Sequence, residues 1–465
     1  MLPLPLWSFR DDVFVEDQPA NAAVVLHSRS GESVLTPVGP AIVQALKRMS
    51  LGPTTLSNVI TEESDWTALR SIIDDHPHLV VHSYGLDPQQ PLISVEPLTP
   101  AARLAEPAAV PQAPVRLSRF AVIRAEGGTL VIESPLCLHR VILHGPEAVA
   151  ALATLIRPAV PDFDDPVVRA LISPLVMAGM LVDNSGQPLD GTTTGGDTDS
   201  ALLGWDPAEL FFHTRATLGR HDHDFGATYP AGETGRFPPV VKPPAPGPAI
   251  ELYRPTGDDG PGLVETIEAP HGSGYLAVDP VSDRELGTLL YRTARVRSTT
   301  VGDPHSAAAA SDRPYSSPGR SYELEIYATV HHCDGVPRGV YHYDPAGHRL
   351  EPLAVSGAEA DEMLETSRVA ANLSSLPGVL LSVTARFERV SWKYSGLGYS
   401  LVLRNFGALT QLMSLACTAL GLSGLRIDAA EIEATSRILG LDWRVEPGVG
   451  SFAIGRPVVT PTHSR

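Results

Sequence analysis

In the run Ser391-Trp392-Lys393-Tyr394-Ser395-Gly396 an amine and a phenol stand side by side, two groups with which an enzyme moves protons. A lysine accepts a proton only when neutral, so burial must lower its pKa from roughly 10.4 towards neutrality. Tyr394 can orient that amine, relay the proton or act as the base itself. Standing alone, a charged residue beside an aromatic reads as an amphipathic strand edge or helix start. Here the surroundings are specific: Tyr341-His342-Tyr343-Asp344-Pro345 and His348-Arg349-Leu350-Glu351-Pro352-Leu353 lie upstream, and an apolar helical run from Leu401 to Leu422 lies downstream.

Other chemistry-bearing patterns are weaker. There is no Walker loop, and His271-Gly272-Ser273-Gly274 lacks the first glycine of a nucleophile elbow. His221 and His223 would share one strand face, yet no Cys or third His follows at ligand spacing, so the pair reads as a solvated polar loop. In His331-His332-Cys333-Asp334 neighbouring side chains point to opposite strand faces, which marks a strand end. No metal site is expected.

The elements that must position the lysine and tyrosine lie in a C-terminal part from about Ala249. Asp283 to Leu290 reads as a helix with Leu286, Leu289 and Leu290 on one face. Glu323 to Val330, Gly339 to Asp344, Val379 to Ala385 and Ser451 to Ile454 read as strands. Helix 401–420 is apolar on nearly all sides, as a helix buried in a large core or at a subunit interface would be.

Ahead of it, residues 1–100 and 101–185 show one pattern twice. A hairpin signal at Ser30-Gly31, and again at Gly127-Gly128, precedes short helices near Pro40 to Met49, Pro146 to Ile156 and Asp165 to Ala178. Tandem winged-helix-like modules and a plain α+β packing domain suit this equally well. Residues 186–248 read as linker and connector, Gly- and Thr-rich at first and Pro-rich at the end.

Charge and cysteine content restrict the partners. Net charge is -18, from 35 basic and 53 acidic residues, which disfavours nucleic acid and anionic membrane surfaces. Peptide binding by strand addition suits the N-terminal modules better than DNA reading. Cys137, Cys333 and Cys417 are odd in number and far apart, so a reducing cytoplasm is expected. The N-terminus lacks the basic start and apolar core of a signal peptide, and Arg404, Asn405 and Gln411 argue against helix 401–420 spanning a membrane.

Several motifs taken in order resemble a known family. Leu290-Tyr291-Arg292-Thr293-Ala294-Arg295-Val296-Arg297, Arg313-Pro314-Tyr315-Ser316-Ser317-Pro318-Gly319, Tyr322 to Tyr327, Gly339 to Pro345, Ala385-Arg386-Phe387 and Trp392-Lys393-Tyr394 are similar to the SagB-type dehydrogenases, flavin-dependent azoline oxidases of the nitroreductase-like superfamily. The resemblance covers the connector and nearly all of the C-terminal part. It implies an α+β fold in which a nitroreductase-like C-terminal domain (249–465), a central sheet flanked by helices, follows the winged-helix-like modules.

The resemblance further implies FMN at a homodimer interface, with a heterodimer as an alternative, and oxidation of peptide thiazolines or oxazolines to thiazoles or oxazoles in natural-product maturation. The partners would be an azoline-containing precursor peptide and a cyclodehydratase complex. Lys393 and Tyr394 match the family's catalytic pair. Ser316, Ser317 and Gly319 stand where its flavin-lining loop runs, Arg295 and Arg297 could supply phosphate charge, and Gln411 is a polar residue that a cofactor could partner. The chain departs from the family at Glu268 to Gly274, where a phosphate-clamping arginine motif is expected and no arginine stands, and at Asp428-Ala429-Ala430-Glu431, where carboxylates replace a glycine cluster. A scaffold subunit that keeps the fold without the catalysis is the second reading, and a small-molecule nitroreductase, which leaves the N-terminal modules unused, the third.

Overall fold

Strands Leu324–Val330 and Val379–Ala385 are buried along their whole length, as near-continuous apolar runs demand when both faces of a sheet are covered. They are seen in a computed structural model that describes all residues except 1, 105–110, 190–195, 231–237, 245–246, 258–259, 271–275, 278, 301–308, 430 and 459–465. The chain forms two units, Met1–His223 and Asp224–Arg465.

In the second unit those two strands pair antiparallel, Leu324 opposite Ala385 and Val330 opposite Val379. The sheet extends on one side through Gly339–Asp344, Arg349–Pro352 and Ile250–Glu251, and on the other through Gly448–Pro457, which also pairs with Leu276–Ala277 and Ser423–Ile427. Period-two alternation splits its side chains between two cores. Leu324, Ile326, Ala328, Leu381 and Val383 pack with Leu286, Leu289 and Leu290 of helix Asp283–Thr293 and with Leu401, Phe406 and Leu409 of helix Gly398–Ala419. On the opposite face Tyr327, Leu380 and Ala453 meet Met363 and Leu364 of helix Gly357–Ala370 and Ile438 of helix Ile432–Leu439. The expected central sheet flanked by helices is thus present. Capping boxes, Ser282 with Glu285 and Ser356 with Glu359, fix two of the helix starts.

Helix Gly398–Ala419 is less enclosed than its composition suggested. Leu401, Asn405, Phe406, Leu409, Met413 and Cys417 face the core, but Tyr399 is 42% and Leu403 39% exposed, and Gln411 is exposed beyond them. Among the described residues one apolar stripe of the helix faces the core, and Tyr399 and Leu403 are exposed on another. Among the described residues no helix is long and apolar enough to cross a membrane.

In the first unit the hairpins fall where the turn residues place them: Ala23–Ser28 with Gly31–Leu35, and Val122–Glu126 with Thr129–Glu133. Gly127 and Gly128 both have positive φ (58° and 87°), which the two-residue turn requires. The first hairpin extends with Phe14–Gln18 into a three-stranded sheet, whereas the second joins a six-stranded one. That larger sheet crosses the expected boundary near residue 100, because His139–Leu143 pairs with Gln90–Pro97. The two patterns therefore share backbone hydrogen bonds, while each keeps its own apolar cluster, around Leu26, Leu46 and Met49 and around Ile132, Val141 and Leu171.

Part of the expected linker is not a free tether. Asp197 is buried, accepting from the Ser118 hydroxyl at 2.6 Å and the Arg119 amide at 3.0 Å, and it pairs with Arg116. His221 is buried with its ring stacked 3.6 Å from that of His223, not solvated as the sequence suggested. Arg220 fixes that loop by donating to the Pro135 and Leu136 carbonyls, both at 2.9 Å.

Candidate active site

The Val379–Ala385 strand runs into a short helix, Glu388–Ser391, whose last turn carries the Lys393 amide to the Val390 carbonyl at 3.1 Å. Tyr394–Ser395 then pairs with Gly226–Ala227, the Tyr229 amide donates to the Lys393 carbonyl at 3.1 Å, and helix Gly398–Ala419 follows. Both ends of the Lys393-Tyr394 dipeptide are thereby fixed by backbone hydrogen bonds. Arg389 adds a tie through its side chain, donating to Ser321 O and Pro238 O, each at 3.1 Å. Arg386 does the same one turn earlier, with Glu325 at 2.7 Å and the Pro239 and Val240 carbonyls at 2.8 and 3.2 Å.

Opposite the dipeptide lies the Ser316–Gly319 turn. Gly319 has φ 62°, and a Cβ there would collide with Tyr394 Oη and lie 2.8 Å from Lys393 Nζ. Only a residue without a side chain lets the amine and the phenol converge on this backbone. Lys393 and Tyr394 are half-buried, so the amine is not as enclosed by this chain as a buried base was expected to be. The Nζ atom lies 5.4 Å from the Tyr394 ring and 5.9 Å from that of Tyr229.

The turn is anchored from below. Ser317 is buried, and its hydroxyl accepts from the Tyr322 amide at 3.1 Å and from Asn405 Nδ2 at 3.2 Å. Asn405 also donates to both oxygens of Glu323, at 2.9 and 3.2 Å. Burial holds the Glu323 carboxyl above its ordinary range, against the Asn405 hydrogen bond and the charges of Arg313 and Arg389. Burial likewise pushes the Arg389 guanidinium down to about 10, helped by Arg386 and Arg313.

Replacing Asn405 with leucine leaves a buried carboxylate without its donor and is expected to cost about 1–3 kcal/mol. A raised glutamate takes up protons on folding, so its contribution to stability falls as pH rises through the raised value. The loss in Asn405→Leu should therefore be larger in melts at about pH 8 than at about pH 5. Equal melting points for variant and parent at both pH values would refute the anchor.

Of the other residues expected at the site, Ser316 is exposed on the same turn as Gly319. Arg295 is engaged elsewhere, its guanidinium 4.1 Å from the Tyr291 ring. Arg297 is exposed and faces Asp312, with its amide on the Asp312 carbonyl at 2.8 Å. Gln411 lies on the open stripe of its helix, and no described contact joins it, Arg295 or Arg297 to the Lys393-Tyr394 pair. His271, Gly272, Ser273 and Gly274 lie outside the described residues, as does Ala430. Asp428 pairs with Arg426 at 2.9 Å, and Glu431 caps helix Ile432–Leu439 by accepting from the Ala434 and Thr435 amides. Arg389 and Tyr229 were not singled out from the sequence, and Asn405 only as a polar residue within an apolar helix. For Asn405 a signal existed: it shares a helix face with Leu401 and Leu409, spaced by four.

The turn suits a flat ring. Ser316, Pro318, Gly319 and Arg320 are exposed, Gly319 offers bare backbone, and an amine and a phenol stand beside it. These residues fit the edge of an isoalloxazine, with Arg320, in the left-handed region at φ 54°, a further cation on the same turn.

Residues 115–222 match the profile described as cyanobactin oxidase ThcOx, and residues 278–456 match the nitroreductase family. The trifolitoxin-processing protein TfxB of Rhizobium leguminosarum bv. trifolii is 26% identical over 172 residues, 36% of this chain and 46% of TfxB. MJ1384 of Methanocaldococcus jannaschii, which carries a nitroreductase name, is 29% identical over 113 residues, 24% of this chain and 56% of that protein. The chain thus spans about half the length of the curated relatives it matches. Among solved structures, the E. coli microcin synthetase McbBCD complex with truncated pro-MccB17 bound aligns with TM-score 0.34 and 22% identity, over 44% of this chain and 76% of the matched one. A segment similar to the cyanobactin oxidase ThcOx thus stands ahead of a segment that matches the nitroreductase family, an order in keeping with the resemblance to the SagB-type dehydrogenases.

Proposed function

We propose that this chain is an FMN-dependent azoline dehydrogenase, oxidising thiazolines or oxazolines in a ribosomally made peptide to thiazoles or oxazoles. The observation that carries the reading is the convergence of the Lys393 amine and the Tyr394 phenol on Gly319, within a nitroreductase-family domain. Its relative TfxB is named for processing trifolitoxin, which supports a role in maturation.

Aromatising an azoline removes two hydrogens from adjacent ring atoms, one as a proton and one as a hydride. Flavin, when bound, supplies the hydride acceptor that no side chain can provide. The chain itself must take the proton. Lys393 Nζ, in its neutral form, accepts it, and Tyr394 Oη beside it orients the amine or carries the proton onward. Ser316 and Gly319 would hold the ring of the cofactor along the turn, and Arg320 lies on the same turn. Ser317 keeps that turn in place through Asn405. The partly uncovered stripe of helix Gly398–Ala419, with Tyr399 and Leu403, suits a second subunit, in a homodimer or with a paralogue. The N-terminal unit, read as two winged-helix-like modules, would hold the precursor peptide or dock a cyclodehydratase. Three cysteines, all free, are compatible with a reducing cytoplasm.

The test is reconstitution. Purified protein given FMN should retain it and turn yellow, and an azoline-bearing peptide should then lose about 2 Da per ring. A colourless protein that takes up no FMN, and leaves the peptide mass unchanged alone and with its cyclodehydratase, would defeat the proposal. The Glu268 to Gly274 stretch, without an arginine, favours a second reading as a scaffold subunit of a biosynthetic complex.

A further inference from the structure

Tyr229 lies in neither matched segment, since these end at residue 222 and resume at residue 278. Its backbone is in the left-handed region, φ 53°, where a residue bearing a side chain is strained and glycine or asparagine is at ease. It also precedes Pro230, a position that ordinarily favours an extended backbone. The surroundings hold it there. Gly226–Ala227 pairs with Tyr394–Ser395, the Tyr229 amide donates to the Lys393 carbonyl at 3.1 Å, and the Thr228 and Ser395 hydroxyls meet at 2.7 Å.

What the strained backbone achieves is the placement of a ring. The Tyr229 centroid is 5.9 Å from Lys393 Nζ and 5.5 Å from the Trp392 ring, at an angle of 59°. The tyrosine is 47% exposed, so the structure does not use it as core. Packed aromatic rings settle with centroids about 4.5–7 Å apart, and the amine lies at a comparable distance from Tyr229. A flat ring offset over the face of Tyr229 that Nζ overlooks would therefore lie beside the amine.

We infer that Tyr229, flanked by Trp392, is the stacking platform for the five-membered cyclic imine of a peptide substrate and turns its ring C–H towards Lys393. The inference deepens the proposed function and rests on it for the identity of the heterocycle. It assigns Tyr229 to substrate recognition, and Lys393 and Tyr394 to the proton.

The test uses the full chain loaded with FMN, and compares the parent with Tyr229→Gly and Tyr229→Phe. Glycine relieves the backbone, so the fold and the flavin content should be retained. Affinity is measured by calorimetry for a short azoline-bearing peptide and for the same peptide with its cysteine or serine uncyclised. Tyr229→Gly should weaken the azoline peptide roughly tenfold, raise KM to match and leave kcat within about threefold. The uncyclised peptide should bind as before, and Tyr229→Phe should behave as the parent. Equal affinity of parent and glycine variant for the azoline peptide would overturn the platform. So would a fall in kcat at unchanged KM, or a loss of FMN, which would place the ring against the amine or the cofactor instead. A parent that binds the azoline peptide without oxidising it would refute the proposed reaction, while the binding comparison would still decide the role of Tyr229.

Discussion

Lys393→Ala should slow azole formation by about 10²–10⁴-fold while flavin content and melting temperature stay near those of the parent. The half-buried side chain makes no described ion pair, so its removal leaves no described partner charge unpaired. What is lost, under the proposed function, is the group that would accept the ring proton. The quantity to follow is single-turnover conversion of an azoline peptide, read as loss of about 2 Da per ring. Peptide affinity should hardly change, because a base acts in the transition state and contributes little to ground-state binding. Small primary amines added to the alanine variant should restore part of the rate, since partial exposure leaves the position accessible. Tyr394→Phe distinguishes the roles within the pair. A modest loss there alongside a severe one at Lys393 assigns the proton to the amine, and the reverse assigns it to the phenol. Unchanged azole formation by the complex carrying Lys393→Ala would establish the scaffold reading and remove the base altogether.

How far the site could be read in advance depended on how local each signal was. Strands such as Val379–Ala385 were legible because burial on both faces leaves an unbroken apolar run. Lys393 and Tyr394 could be singled out because they adjoin in the chain. Gln411 was singled out as the polar residue of an apolar helix, yet helical phase puts Asn405, not Gln411, with Leu401 and Leu409 towards the sheet. Arg389 acts on the carbonyls of Pro238 and Ser321, partners about 151 and 68 positions away, and a guanidinium bound to main-chain oxygen leaves no complementary acid to find. Pairing of His139–Leu143 with Gln90–Pro97 is a choice of non-local register, which hydrophobic alternation permits without specifying the partner. Tyr229 runs against the local rule for a residue before proline, so only the fold could reveal it.

Under the proposed function, Gly319→Ala should slow azoline oxidation by about 10²-fold with the fold intact, although it adds a single methyl group. Two effects combine. A left-handed backbone at φ 62° costs alanine roughly 1–2 kcal/mol relative to glycine, which a domain of this size can absorb. More important is what the methyl meets: Tyr394 Oη in collision, Lys393 Nζ at 2.8 Å and Lys393 Cε at 3.3 Å. These are the far ends of two flexible side chains, so they will move before the backbone does. The cost therefore falls on geometry, displacing the amine and the phenol together from the positions they hold against the turn. Gly357→Ala is the matched control, because a Cβ there meets nothing within 4 Å. The expected pattern is a small drop in melting temperature for Gly319→Ala, none for Gly357→Ala, and loss of turnover only in the former. If Gly319→Ala oxidised the peptide at the parental rate per bound flavin, the amine and the phenol could not both be working from the positions they hold against this turn.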